Sequence, residues 1–120
     1  MRYLGNELGY YPRGNSLESF DVDWAIDTFN DTWKYPFFVP FFSDTCSKEE
    51  VAERVRAFTT LSKLYEKKLG DGRKWLGGDK ISIADFIVGS HYHSVVFNKG
   101  VKHASLRTAM KTTIEDTPQV

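Results

Sequence analysis

Leu76-Gly77-Gly78-Asp79-Lys80-Ile81-Ser82-Ile83-Ala84-Asp85-Phe86 is the stretch that decides the fold class. A Gly-Gly-Asp loop runs directly into a complete helix start. Ser82 is placed to cap the helix, its hydroxyl accepting from the backbone N–H of Asp85, while the Asp85 carboxylate reaches back to the N–H of Ser82. Ile81 before the cap and Phe86 four positions after it supply a hydrophobic staple. The segment that follows is mostly apolar, so the pattern predicts a buried helix from Ser82 to about Phe97, closed by Asn98-Lys99-Gly100.

Other helices can be read outward from this one. Ser47 and Glu50 form a second capping box. Behind it Val51, Val55, Phe58, Leu61 and Tyr65 share one face, and Gly70 ends the run. Upstream, Asn15 with Glu18 starts a helix over about Leu17 to Trp33, with Val22, Ile26, Phe29 and Trp33 at helical spacing and Pro36 and Pro40 beyond it. Downstream, Leu106, Met110 and Ile114 give an amphipathic helix over Ala104 to Glu115. Met1 to Leu8 reads as the last turns of a helix stopped at Gly9, and its uncapped start looks cut from something longer. No alternating strand pattern exceeds four residues. The class is all-α: a bundle of about five helices with short loops.

Composition narrows the function. The 120 residues suit one domain with a real core. Sixteen basic and sixteen acidic side chains cancel, so nucleic acid and anionic membrane are not expected partners. No apolar run is long enough to span a bilayer, and the N-terminus lacks a signal-peptide pattern. The single cysteine, Cys46, rules out an internal disulfide. A cytoplasmic address is expected.

Three groups invite a chemical reading. Asp23, Asp27 and Asp31 recur every four residues, forming a row of carboxylates. Like charges so placed cost about 0.2–0.5 kcal/mol per pair on an isolated helix. The N-terminal macrodipole offsets part of this for Asp23 but not for Asp31 near the C-terminal end. The row is either a solvated face or a site that bonds a cationic ligand group or a partner chain. Phe37, Phe38, Phe41 and Phe42 cluster around Pro36 and Pro40, as a core plug between helices or as the wall of an apolar pocket. His91 and His93, two apart on a helix, point to different sides and make a poor metal pair. Cys46 precedes a helix start that could lower its pKa, but a bland buried or surface thiol is the favoured reading. Lys67, Lys68, Arg73 and Lys74 read as solvated. No catalytic set and no metal site stands out.

The order Gly78-Asp79, Ile81-Ser82, Ala84-Asp85-Phe86 resembles the segment that starts the central helix of the C-terminal domain of cytosolic glutathione transferases. Val22-Asp23 with Asp27 and Asp31 is similar to the first helix of that domain in the sigma, pi, mu and alpha classes. Ala104 to Val120 resembles its later helix. Arg2-Tyr3-Leu4-Gly5 with Leu8-Gly9-Tyr10-Tyr11 resembles the last helix and linker of the thioredoxin-like domain that precedes it. The resemblance implies a remnant of that helix over 1–8, a linker over 9–15 and the helical domain over 16–120.

It further implies that Asp31 reaches across a homodimer to the γ-glutamyl amine of glutathione, and that Phe37, Phe38 and Phe41 line a pocket for hydrophobic electrophiles. Ser82 and Asp85 match the family's structural capping box. No metal or cofactor is implied, glutathione being a co-substrate. The family's catalytic Tyr, Ser or Cys belongs to the thioredoxin-like domain, so the chain alone is expected to be inactive. The competing expectation is a non-catalytic assembly module of the kind found in translation factors and synthetase complexes. In either case Tyr3, Leu4, Trp33 or part of the phenylalanine cluster is expected to lie partly bare.

Overall fold

The computed structural model describes residues 1–33 and 45–120. The expected pocket residues Phe37, Phe38 and Phe41 lie outside the described residues. Five helices are described: α1 (Arg2–Leu8), α2 (Ser16–Thr32), α3 (Lys48–Leu69), α4 (Ile83–Val96) and α5 (Ala104–Glu115). Among the described residues the only β feature is one bridge between Trp75 and Gly78.

Local chemistry sets the helix ends. Asn15 accepts the N–H groups of Leu17 and Glu18 at 3.1 and 3.3 Å and so starts α2. Ser47 accepts the Glu50 N–H at 3.1 Å, and the Glu50 carboxylate takes the Ser47 N–H at 2.8 Å. That reciprocal pair satisfies two donors that a helix start otherwise leaves orphaned. α1 closes on Gly9 in the left-handed region, φ 79°.

Each long helix turns one apolar face inward. α2 contributes Val22, Ala25, Ile26 and Phe29, followed by Trp33; α3 contributes Phe58, Leu61, Tyr65 and Leu69; α5 contributes Leu106 and Met110. α4 is the centre, burying Ile83, Ala84, Val88, Tyr92, Val95 and Val96. It packs on α2 and α5, while α3 packs on α5 and α2. Burying a side chain the size of Phe58 or Leu61 contributes about 1.5–3 kcal/mol.

Two polar contacts tie this core together. Tyr65 donates its hydroxyl to the Ala25 carbonyl at 2.8 Å, which holds α3 on α2. The Ser62 and Tyr92 hydroxyls share a hydrogen bond of 2.8 Å, which holds α3 on α4. Burial drives both phenols upward, Tyr92 to about 12 and Tyr65 further. Both therefore stay neutral, as a low-dielectric interior requires.

Of the side chains expected to include a bare one, Tyr3 and Leu4 stand 74 % and 55 % exposed on α1, whereas Trp33 is 5 % exposed. The reason is aromatic packing at the end of α2: Trp33 stacks on Phe29 at 5.8 Å and meets the Phe58 ring edge-on at 6.3 Å.

Candidate functional site

The loop that opened the sequence reading becomes a junction of four chain segments. Asp85, in the first turn of α4, accepts the Ser82 N–H at 2.8 Å and the Ser82 hydroxyl at 2.9 Å. The Ser82 oxygen in turn accepts the Ala84 N–H at 3.2 Å, and both arms of the capping box are in place. The other Asp85 oxygen takes the Leu76 N–H at 2.9 Å, six residues before the cap. The first helical N–H, that of Ile83, donates to the Tyr10 carbonyl in the linker at 2.9 Å. One carboxylate thus positions the loop and the helix, and the linker closes the remaining donor. Phe86, expected to staple against Ile81, sets its ring edge-on to Tyr10 at 5.2 Å.

The glycines of this loop have separate reasons. A Cβ on Gly77 would stand 2.6 Å from the Val22 side chain of α2, so only glycine permits the approach. Gly78 has φ 129°, a conformation that side chains oppose. There the loop doubles back through paired hydrogen bonds between Trp75 and Gly78 at 2.9 and 3.0 Å.

The acidic row of α2 is not uniform. Arg2 of α1 donates to Asp23 at 2.7 Å and to Asp27 at 3.0 Å. Tyr11 adds its hydroxyl to Asp23 at 2.8 Å. Partial burial works to raise the Asp23 pKa, but the hydrogen bonds from Arg2 and Tyr11 outweigh it and hold the carboxyl below its usual range. The repulsion expected from the spacing is therefore relieved at Asp23 and Asp27 by a cation from another helix. Asp31 sits on the last turn of α2 and is exposed.

A fourth acid, Asp21, escaped the sequence reading. It is 7 % exposed and receives hydrogen bonds from Lys68 at 2.5 Å and Arg73 at 2.7 Å. Lys68 also lies 5.3 Å over the Trp24 ring. Arg73 extends the cluster to Asp71, whose carboxyl it pulls down to about 2 through side-chain hydrogen bonding. Burial opposes ionisation of Asp21, yet the two cations overcome it and keep the group below its ordinary value. Lys68 and Arg73 are thus not the solvated side chains expected; they join α2, the end of α3 and the following loop. A signal was present in the sequence. Asp21 lies four and eight residues before Ala25 and Phe29, on the apolar stripe, where an acid needs a partner.

His91 and Cys46 also acquire definite surroundings. The His91 ring meets Trp33 at 4.1 Å and Phe29 at 4.8 Å, both edge-on. Burial lowers its pKa to about 4, so the imidazole is neutral at physiological pH. The helix start does not lower the Cys46 pKa: burial and then the neighbouring Glu50 charge push its thiol up. It stands at the mouth of a groove of about 540 Å³ between the starts of α3 and α5, floored by Val51, Val55 and Ala109. A second cleft of about 370 Å³ separates the linker from the Gly77–Ser82 loop and carries charges of both signs, Arg13 and Lys80 with Glu18 and Asp79.

Among the described residues no group of three or more His, Cys, Asp or Glu side chains could hold a metal ion. No described helix is long and apolar enough to cross a membrane. The described polar groups chiefly join helices and loops.

The family model of the glutathione S-transferase C-terminal domain matches residues 29–94, from the last turn of α2 through most of α4. That span is more than half of the chain and includes the loop, Ser82, Asp85 and the aromatic joint of Trp33 with His91. No curated protein and no solved structure matches. With its helical order, its capped central helix and this match, the chain belongs to the glutathione S-transferase C-terminal domain family.

Proposed function

We propose that this domain supplies the electrophile-binding half of a cytoplasmic, dimeric glutathione transferase acting in detoxification. Residues 1–8 are then the end of a preceding thioredoxin-like domain, 9–15 the linker and 16–120 the helical domain. Asp31 faces the γ-glutamyl amine of glutathione held by the partner subunit, and Phe37, Phe38 and Phe41 contact the hydrophobic electrophile. The observation that carries the reading is the family match beginning at Phe29, two residues before Asp31. It is supported by the position of Asp31, exposed on the last turn of α2. A carboxylate is the complement that an ammonium group needs.

The 120 residues bring no activating group for the glutathione thiol in this reading, so they do not catalyse conjugation alone. The test incubates the purified chain at high concentration with millimolar glutathione and an activated aryl chloride. The expected rate equals that of a heat-killed control. Turnover above that control would remove the division of labour proposed here. With the chain joined to a thioredoxin-like domain, Asp31→Ala should weaken binding of an S-alkyl glutathione. Unchanged affinity would remove Asp31 from the site.

A further inference from the structure

We draw no further inference here: the strongest candidate, the apolar groove of about 540 Å³ between the starts of α3 and α5 floored by Val51, Val55 and Ala109, carries nothing because nothing in the structure shows what covers it.

Discussion

Replacing Asp21 by alanine tests the reasoning most directly. Its side chain is 9 % exposed, and it faces Lys68 and Arg73, themselves 24 % and 18 % exposed. Removing one partner of a buried ion pair costs about 3–5 kcal/mol when the remaining charge is stranded. Both cations here keep some access to water, and Arg73 retains Asp71 at 2.6 Å, so part of that cost is recovered. The expected loss is about 2–3 kcal/mol, a shift of about 8–12 °C in Tm for a domain of this size. Asp21→Asn keeps one acceptor and the volume and should lose about half as much. Urea denaturation at neutral pH measures both variants. The loss should persist in 0.5 M salt, because a buried pair is screened little.

Acid provides a second signature of the same group. The folded carboxyl is held below its unfolded value of about 4. Its contribution is therefore complete above that pH and disappears as pH falls through the lower folded value. A loss below about 0.5 kcal/mol for Asp21→Ala, or one equal to that of Asp71→Ala at the exposed end of the cluster, would refute the assignment of a clamp to Asp21.

Other variants probe other joints. Asp85→Ala removes acceptors for the Leu76 N–H, the Ser82 N–H and the Ser82 hydroxyl, and should cost about 2–3 kcal/mol by urea titration; a cost like that of an exposed cap, about 1 kcal/mol or less, would mean that the loop does not depend on it. Gly77→Ala places a methyl 2.6 Å from Val22 and should cost about 1–3 kcal/mol, with Val22→Ala in the same chain restoring part of it; equal stability of Gly77→Ala and wild type would show that the loop can move aside. His91 binds its proton at about 4 when folded and near 6.5 when unfolded, so its neutral form stabilises the fold fully above about pH 6.5 and progressively less down to about 4. Lowering the pH from 7 to 5 should cost up to about 2 kcal/mol in wild type and much less in His91→Gln, while Trp33 fluorescence of the folded protein stays unchanged until the pH nears 4, where the imidazolium forms beside it; parallel pH slopes for the two proteins would remove His91 from this role.

The helix starts and stops were legible because each depends on residues three or four apart. Ser47 with Glu50, and Ser82 with Asp85, announce themselves in order and spacing, and the structure carries both capping boxes. The buried faces of α2, α3 and α5 followed from a 3.6-residue period in the same way. Outside that reach the reading weakened. Lys68 and Arg73 looked solvated because their partner, Asp21, lies 47 and 52 residues away. Trp33 could not be told from Tyr3 and Leu4 as the bare side chain because its covering rings come from Phe58 and His91 on two other helices.

Cys46 shows the same division at one atom. A helix start argues for a lowered thiol pKa, whereas burial and Glu50 reverse the sign. Sequence alone determined where the helices begin and end, which faces turn inward and the glycine-loop pattern that names the family, because those properties are set by neighbours along the chain. Tertiary structure decided which charges are buried and paired, why Gly77 must be glycine and why Asp85 holds Leu76 as well as Ser82. Those properties depend on distances between segments that only the packed core brings together.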